Sequence, residues 1–547
     1  MPVHLPDEII WHILRNLVPS EKVELQYDYD AQLCLTSLAY ASRVSRSFRR
    51  VAEPLLYRHL HCSSRQLLEA LCNRPELCEH VRRIDGYGTS MSLEDRAVAE
   101  RLLHGRIRGM VRDKYRWPAL DALLERLIPP EVDPINNDED YGYLDMAWLT
   151  FMLCLTPHVE TLHVDSCLLD KPDMLARLFD LCGREGSPRQ QRESGRVMVP
   201  RSSGPLSKLR SLQLGCDTVH GEPGGFGDRN VRPLVLFPGL EELVAVHMDW
   251  EYTGQGPNPY DHDEGEGEHE DTSDEEQLED DQDQRCQAER PGDQTSQALP
   301  DRPPKRLYTF PGSHPNMKSL SLLHNNPPVY STAREMLLAC PNLDCLILLP
   351  WIFEDRETLD FTMYGNVLRE FGTRLRRFEL EPAIAHGDFS EVGDEGTIGS
   401  LREKLTRLEQ LRIPLATLAG TDVTDVDDEN SEQLDLCAFL PASLRWFWTG
   451  VTESGVAEVH YKALARMMDE ITRGSQGDGC CRLPLLEWVM VQIPSKNDGP
   501  SFEPNGFDVL RLGKDQVLCT RKSARLGWTQ TPPGWEGAPI DTDSWLP

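Results

Sequence analysis

The chain has 547 residues, 57 Lys and Arg against 89 Asp and Glu, and a formal net charge of −32 at pH 7. Nucleic-acid-binding proteins neutralise phosphates with clustered basic side chains, so this balance argues against a nucleic-acid partner. Hydrophobic residues make up 39% of the chain. This is enough for a sizeable core, but no run of about 18 apolar residues predicts a membrane span.

Residues 5–17, LPDEIIWHILRNL, predict the first helix. Leu5, Ile9 and Ile13 lie four residues apart and further apolar residues lie beside them, which is the spacing of one wide apolar stripe. Pro6 suits the first turn of a helix, where its missing N–H costs nothing. Residues 18–34 are expected to form a long connection to the next helix.

A second helical run spans roughly residues 35–57. Its apolar spacing predicts a helix with a bend near Ser42 and an end at Pro54. Two short helical segments bury little apolar area on their own. They are therefore expected to pack on the rest of the chain or to present their apolar stripe to another protein.

The string LPDEIIWHILRNL, followed by ASRVSRSFRRVAEPLLYRHL, resembles the F-box in its Leu-Pro start, its Val-Ser-Arg-x-Phe centre and its Pro-Leu-Tyr exit. The resemblance implies a small all-helical F-box over residues 1–60 that binds the Skp adaptor of an SCF-type cullin–RING ubiquitin ligase. The adaptor contacts that it implies are Leu5, Pro6, Ile9, Ile13, Leu14, Val44 and Phe48. The basic cluster at 43–50 would steer association with the family's acidic adaptor. A plain helical hairpin that caps the following repeats is the alternative.

Residues 61–150 contain three helical patterns, SLEDRAVAERLLHGRIRGMV, WPALDALLERLI and LDMAWLTFMLCL. They predict a helical linker and an N-terminal cap. A weak first copy of a repeat lies within them at Val81, Ile84 and Gly86.

A short pattern then recurs through residues 151–493: an apolar residue, two residues of any kind, a second apolar residue, one residue of any kind, and a third apolar residue. The copies of this pattern start at Val159, Leu209, Leu240, Met317, Leu343, Leu375, Leu408, Leu444 and Leu486. Helical patterns precede several copies, among them STAREMLLACPNL, DFTMYGNVLREFGTRL, GTIGSLREKLTRL and AEVHYKALARMMDEI. Helix followed by strand, repeated, predicts parallel strands covered by helices, an α/β fold. The pattern resembles an irregular leucine-rich-repeat solenoid. An ordinary α/β domain with chance leucines is the alternative.

The single residue between the last two apolar positions of each copy is expected to point away from the core. The predicted substrate-binding residues, taken from these positions, are His163, Gln213, Glu379, Arg412, Trp448 and Met490. Trp448 and Met490 are the expected anchors, because large apolar and aromatic side chains dominate interface energies.

Residues 251–306 are acidic and poor in apolar side chains, and they predict a disordered insertion in the repeats. Thr272 and Ser273, which precede three acidic residues, are candidate phosphorylation sites. Residues 494–547 form a predicted tail that contains Pro, Gly and Trp. Its Trp528, Trp535 and Trp545 are expected to dock partly on the last repeats.

The chain contains no phosphate loop, dinucleotide fingerprint, zinc helix or nucleophile elbow, so no cofactor, metal or catalytic residue is predicted. Scattered cysteines and an N-terminus without an apolar signal core favour a cytoplasmic or nuclear protein. The predicted function is a non-catalytic substrate receptor of an SCF-type ubiquitin ligase, with an unknown protein substrate. A non-degradative Skp-bound adaptor or scaffold is the second hypothesis, and an enzyme whose site is built from loops is the third.

Overall fold

The structure is a computed structural model. It describes residues 5–18, 29–61, 65–86, 93–126, 140–165, 173–185, 204–215, 226–227, 234–235, 237–246, 248–249, 313–325, 330–352, 361–380, 383–384, 396–420, 434–451, 457–475, 482–492, 504, 506–512 and 516–522. The predicted insertion, its candidate phosphorylation sites Thr272 and Ser273, and residues 523–547 lie outside the described residues.

Three helices form the N-terminal unit: α1 (Asp7–Arg15), α2 (Tyr29–Val44) and α3 (Arg46–Leu56). Since α2 begins at Tyr29, the connection between the first two helices is shorter than the predicted 18–34. The break in the second run falls at Ser45 rather than Ser42, because extended Ser45 caps α3 by accepting a hydrogen bond from the Phe48 N–H at 3.2 Å. Pro54 does not end α3, which continues to Leu56.

Helices and one strand pair connect this unit to the repeats. The elements are β1 (His59–His61), α4 (Arg65–Asn73), a 3₁₀ helix (Pro75–His80), β2 (Arg83–Gly86), α5 (Leu93–Tyr115), α6 (Pro118–Arg126) and α7 (Asp140–Leu155). The three helical patterns predicted within 61–150 therefore form helices. The weak first copy of the repeat forms β2, which pairs in parallel with both β1 and β3 (Thr161–Val164).

Among the described residues, fourteen strands form one sheet. After β3 the strands are β4 (Ser211–Leu214), β5 (Phe226–Gly227), β6 (Glu242–Val246), β7 (Met248–Asp249), β8 (Ser319–Asn325), β9 (Cys345–Ile352), β10 (Arg377–Leu380), β11 (Ala383–Ile384), β12 (Gln410–Arg412), β13 (Trp446–Gly450), β14 (Trp488–Gln492), β15 (Phe507–Leu512) and β16 (Gln516–Arg521). The short β5 and β7 pair apart from the main sheet. Each repeat copy supplies one strand of the main sheet, and from β1 to β14 the strands are parallel and follow chain order. The predicted parallel α/β architecture is confirmed.

The remaining helices are α8 (Asp173–Glu185), α9 (Tyr330–Ala339), α10 (Phe361–Phe371), α11 (Leu415–Ala419), α12 (Leu436–Phe439) and α13 (Ala457–Ser475). One predicted helix, GTIGSLREKLTRL, is wrong: residues 396–408 form turns. Gly396 and Gly399 have φ of 71° and 73°, which a right-handed helix cannot accommodate. The segment also passes close to α10, where a Cβ on Gly365 would lie 2.1 Å from the Ile398 carbonyl oxygen.

The repeat leucines form one continuous core between the helices and one face of the sheet. Leu212, Leu320 and Phe378 are typical members and are fully buried. The core runs from Leu60 to Cys519, so it extends beyond the predicted end of the repeats at residue 493. The first part of the predicted tail forms β15 and β16, which pair antiparallel at the last edge of the sheet.

Charged residues alternate in sign along the edge of the sheet where the parallel strands begin. The residues directly before β2, β3, β4, β6, β8, β9, β10, β12, β13 and β14 are Arg82, Glu160, Arg210, Glu241, Lys318, Asp344, Arg376, Glu409, Arg445 and Glu487. Neighbouring members form ion pairs, including Lys318–Glu241 at 2.7 Å and Arg445–Glu487 at 2.7 Å. This row, the charge ladder, favours the observed order of the strands in the sheet, because leaving out one strand would place two like charges side by side.

Candidate protein-interaction surfaces

Helix α1 carries two apolar stripes rather than one. Ile10 and Leu14 are 1% and 3% exposed and pack in a small core with α2 and α3. Ile9 and Ile13, on the adjacent side of the same helix, are 46% and 51% exposed, and Leu5 just before the helix is also exposed. Four-residue spacing produces both stripes, so only the packing of α1 on α3 decides which one faces water.

Helix α2 leaves a second apolar stripe exposed. Leu33, Tyr40 and Val44 are spaced at seven and four residues and are 52%, 63% and 69% exposed. Leu38 on the opposite side is fully buried against α3. Among the described residues, the large hydrophobic side chains that are exposed number ten, and seven of them lie in residues 5–44: Leu5, Ile9, Trp11, Ile13, Leu33, Tyr40 and Val44.

Helix α3 joins the other two and contributes basic charge. Arg50 forms an ion pair with Asp7 at 2.5 Å, which holds the first turn of α1 against α3. Hydrogen bonding to Asp7 raises the pKa of Arg50. Arg46 and Arg49 are exposed on the same helix, so the apolar stripes lie beside a cationic surface.

The seven predicted adaptor residues fall into three groups. Leu5, Pro6, Ile9, Ile13 and Val44 are exposed. Phe48 is half-buried against the small core. Leu14 is a correction: it is an interior residue, because it faces α3 together with Ile10. Trp11, Leu33 and Tyr40 are also exposed but were not among the predicted residues, although the seven-residue spacing from Leu33 to Tyr40 was available as a signal.

The outer face of the sheet, the face opposite the main core, carries two rows of aligned side chains. The first row is His59, Arg83, Thr161, Ser211, Glu242, Ser319, Cys345, Arg377, Gln410, Trp446, Trp488, Thr520 and Asp508. The second row, two positions further along each strand, is Asp85, His163, Gln213, Val244, Ser321, Ile347, Glu379, Arg412, Trp448, Met490, Leu518 and Leu510. All six predicted substrate-binding residues lie in the second row, since successive strand side chains alternate between faces.

The outer face is polar and tightly paired at its N-terminal end. His59 Nε2 lies 2.6 Å from Asp85 Oδ2, and Arg83 Nε donates to Asp85 Oδ1 at 2.7 Å. Asp85 is fully buried. Burial by itself raises the pKa of Asp85, but the His59 hydrogen bond and the nearby charges of His59 and Arg83 outweigh it, and the pKa lies below its ordinary value.

The same face is aromatic at its C-terminal end. Trp448, Trp488, Met490 and Leu518 form a buried cluster separate from the main core, and Trp446 packs against it. We call these five residues the outer cluster. At its border the Arg412 guanidinium lies 3.8 Å from the centre of the Trp448 ring, a cation–π distance. Trp446 and Trp488 were not among the residues predicted on this face. Each lies two residues before a predicted anchor, Trp448 or Met490, and side chains two residues apart in a strand point to the same face.

The six predicted substrate-binding residues point away from the main core as expected, but four of them are buried, and their role in substrate binding stays a prediction. His163 is 1% exposed and its Nε2 lies 3.0 Å from the Gly215 carbonyl oxygen. Glu379, Trp448 and Met490 are also buried, since neighbours on adjacent strands flank each of them. Gln213 is half-buried, and the Arg412 side chain is 19% exposed.

One group of side chains has the spacing of a cation site. Ligand atoms of Asp435, Cys437 and Glu470 lie within 4.8 Å of one another. Asp435 accepts a hydrogen bond from the Cys437 N–H at 3.0 Å and forms an ion pair with Arg482. Burial raises the pKa of the Cys437 thiol to about 12, which opposes the thiolate form that binds metals. The arrangement is therefore a helix cap with an ion pair.

Comparison with known proteins adds a family assignment for the N-terminal unit. Residues 3–63 match the family model described as F-box-like. No curated protein matches the chain. None of the described helices is both long enough and apolar enough to cross a membrane. The match spans α1 to α3 with their exposed apolar stripes, and F-box domains typically bind Skp-type adaptors. Residues 3–63 therefore form an F-box-like domain, which suggests the Skp-binding role typical of SCF subunits.

Proposed function

We propose that the chain is the substrate-recognition subunit of an SCF-type ubiquitin-protein ligase. The F-box-like domain binds the Skp adaptor, and the sheet with its helices, an irregular leucine-rich-repeat-like solenoid, holds a protein substrate. Catalysis is then proximity supplied by a scaffold, and this chain contributes no reactive group. The proposed location is the cytoplasm, the nucleus or both.

The observation that carries the proposal is the concentration of exposed large hydrophobic side chains on the F-box-like domain. Seven of the ten in the described part of the chain lie in residues 5–44. Contiguous exposed apolar surface marks a protein-interaction site. The six-residue core beneath it is small, and a domain of that size gains stability from a bound partner.

The repeat architecture supports a solenoid. One strand per repeat copy, strict chain order from β1 to β14 and parallel pairing are the arrangement of stacked repeats. The first apolar residue of each repeat copy lies in the turn before the strand and is buried, as in Leu343 and Leu444. Such arrays present an extended sheet face, on which Gln213 and Arg412 retain exposure for a partner.

The chemistry of three buried cysteines is consistent with a non-catalytic receptor. Burial raises the pKa of Cys78, Cys340 and Cys519 to about 12. A nucleophilic cysteine requires a lowered thiol pKa. These thiols therefore stay protonated near neutral pH and serve as small apolar side chains.

Co-purification with the Skp adaptor tests the proposal. The double substitution Ile9→Asp and Val44→Asp places two charges on the exposed stripes without touching the small core. We expect it to abolish adaptor binding while the thermal unfolding of the repeats is unchanged. Leu338→Asp is the matched control, because Leu338 is 51% exposed, like Ile13, but lies on α9. Equal binding by the double variant and the wild type would refute the adaptor assignment.

A ubiquitin-transfer assay with the reconstituted cullin complex separates the ligase from its alternative. Self-ubiquitination or substrate ubiquitination that is lost with Ile9→Asp and Val44→Asp supports a ligase receptor. Adaptor binding without any ubiquitin transfer would identify a non-degradative Skp-bound adaptor or scaffold.

A further inference from the structure

A second row of side chains runs beside the charge ladder, in the turns that precede the parallel strands. Each member stands two residues before a ladder residue. Before β8, β9, β10, β12, β13 and β14 the members, which we call the turn row, are Asn316, Asn342, Arg374, Arg407, Ser443 and Leu485. None of these six residues is acidic, whereas three of the six ladder residues beside them are. The turn row therefore adds positive charge to this edge of the sheet.

Arg407 differs from the turn-row members just before it, whose side chains bond to the preceding turn. Asn342 Nδ2 donates to the Pro315 carbonyl oxygen at 2.8 Å, and Arg374 Nη1 donates to the Pro341 carbonyl oxygen. Arg407 is exposed, and its guanidinium forms no hydrogen bond or ion pair with any described residue. A guanidinium carries five N–H donors, so Arg407 offers all of them to a ligand.

Two open clefts lie along this edge, with volumes of about 430 and 400 Å³, and Arg407 lines both. The first cleft is also lined by Asp344, whose carboxylate forms no ion pair with a described residue and repels an anionic ligand. The second cleft contains Ser443 and Leu485 together with Arg407. Small-molecule pockets are mostly apolar, and the charged lining of the second cleft is unlike them. It suits a charged peptide better.

The acidic side chains of the second cleft are already paired. Glu409 accepts hydrogen bonds from Arg376 at 2.8 and 2.9 Å, and Glu487 accepts one from Arg445 at 2.7 Å. These pairs neutralise each other, so Arg407 leaves a net positive charge at one end of the cleft. An acidic side chain placed there gains a charge-assisted hydrogen bond without breaking an existing ion pair.

The other members of the turn row supply an apolar contact and an acceptor. Leu485 is 51% exposed, which is a large exposed fraction for a leucine in the repeats. Between it and Arg407, Ser443 Oγ donates to the Leu408 carbonyl oxygen at 2.8 Å. The Ser443 hydroxyl oxygen therefore retains its capacity to accept a hydrogen bond from a peptide N–H.

The spacing of the cation and the leucine fits an extended peptide that crosses the turns. Arg407 and Leu485 precede β12 and β14, which flank β13, so their turns are two strand spacings apart, about 10 Å at about 4.8 Å each. The polyproline II conformation has about three residues per turn and rises about 3.1 Å per residue, so side chains three residues apart lie on one face, about 9 Å from each other.

We propose that the second cleft binds an extended acidic segment of a partner protein. An Asp or Glu of the segment pairs with Arg407, and a large apolar side chain three residues away packs on Leu485. This binding does not require the proposed ligase function. Where that function holds, the cleft is part of the substrate-binding surface, and it lies on the edge of the sheet rather than on its outer face.

Fluorescence anisotropy of the full chain with a labelled synthetic peptide tests the proposal. The probe PPDPPLPP places Asp and Leu three residues apart in a segment that favours polyproline II. We expect it to bind at least about tenfold more tightly than PPKPPLPP, in which Lys replaces Asp. Since the chain carries a net charge of −32, non-specific attraction favours the Lys peptide instead. Equal binding of both peptides, or no binding of PPDPPLPP, would overturn the proposal.

A charge reversal locates the binding at the cleft. Arg407→Glu is expected to weaken binding of PPDPPLPP at least about tenfold and to bind PPKPPLPP more tightly than the wild type does. Lys404→Glu is the matched control, because Lys404 is exposed on the same turn segment but lines neither cleft. It is expected to bind as the wild type does. Unchanged affinity in Arg407→Glu, or equal losses in both variants, would contradict the assignment.

The apolar contact has its own matched pair of variants. Leu485→Ser is expected to weaken binding of PPDPPLPP about fivefold, because the leucine of the peptide then loses its apolar partner. Leu338→Ser, at an equally exposed leucine on α9, is expected to have no effect. Equal affinities in the two variants would remove Leu485 from the site. The Ile9→Asp and Val44→Asp double variant is expected to bind the peptide normally, so failure of adaptor binding and failure of peptide binding are distinguishable.

Discussion

The outer stripes of the F-box-like domain and the outer cluster of the sheet are both rich in large apolar side chains that face away from a local core. They differ in exposure: Ile13 is 51% exposed, whereas Trp448 is 5% exposed. The first surface is open to solvent, whereas the side chains of the second are buried. An apolar residue on an outward face therefore indicates a partner surface only where nothing in its own chain buries it.

The two regions also differ in how they satisfy their polar groups. In the F-box-like domain the ion pair between Arg50 and Asp7 lies at the surface. On the sheet, the polar end of the outer face buries a carboxylate with a histidine and an arginine around it. Loss of one partner is mild in the first setting and severe in the second, because a buried charge left alone retains its desolvation cost.

The largest expected effect is at Asp85. The substitution Asp85→Ala leaves His59 and Arg83 without their buried carboxylate, and we expect the free energy of unfolding to fall by about 3–5 kcal/mol. Chemical denaturation measures this loss. Glu242→Ala, an exposed residue of the first row on the same face, is the control and is expected to change stability by less than about 0.5 kcal/mol. Equal losses in both variants would contradict the account.

The contribution of Asp85 to the free energy of unfolding depends on pH in a definite direction. Because the pKa of Asp85 is lowered in the folded protein, its contribution is fully present above the ordinary aspartate pKa and is lost as the pH falls through the lowered folded value. The acid limb of the stability curve is therefore expected to be shallower in Asp85→Asn than in the wild type. Identical acid limbs would exclude Asp85 as a source of acid sensitivity.

The two stripes of α1 provide the next effect. Ile10→Ala creates a cavity in the small core, and we expect it to destabilise the F-box-like domain by about 2–5 kcal/mol. Ile9→Ala removes an exposed side chain and is expected to change stability by less than about 0.5 kcal/mol. Thermal unfolding monitored on the N-terminal unit compares the two. Similar losses in the two variants would contradict the assignment of Ile10 to the buried stripe and Ile9 to the exposed one.

The smallest effect is expected in the charge ladder. Glu409 accepts hydrogen bonds from Arg376 at 2.8 and 2.9 Å, and both side chains are partly exposed. Glu409→Gln is expected to lower stability by about 0.2–1 kcal/mol at low salt and by less at high salt, since ions screen exposed pairs. Glu403→Gln, on an exposed turn nearby, is the control. A loss that does not depend on salt would argue against a Coulombic role for the ladder.

Sequence patterns predicted the strands well and the helices less evenly. Each repeat copy forms a strand because alternating leucines bury one face of a sheet whatever the connection. Residues 396–408 kept a helical spacing of apolar residues, but two glycines with positive φ and the close approach to α10 imposed turns instead. Two segments of the predicted tail, β15 and β16, joined the sheet: β16 pairs with β14 and β15 pairs with β16, and such pairing is not contained in the pattern of either segment alone.

The sequence by itself determined which residues form the strands of the repeats, that those strands are parallel, and that an F-box-like unit precedes them, because these properties follow from local periodicity and a short motif. Only the tertiary structure decided which apolar stripe of α1 is exposed, that Leu14, Trp448 and Met490 are buried, and that ten charges alternate along one edge of the sheet. Those properties depend on neighbours far apart in the chain, and neither a helical period nor a repeat spacing contains that information.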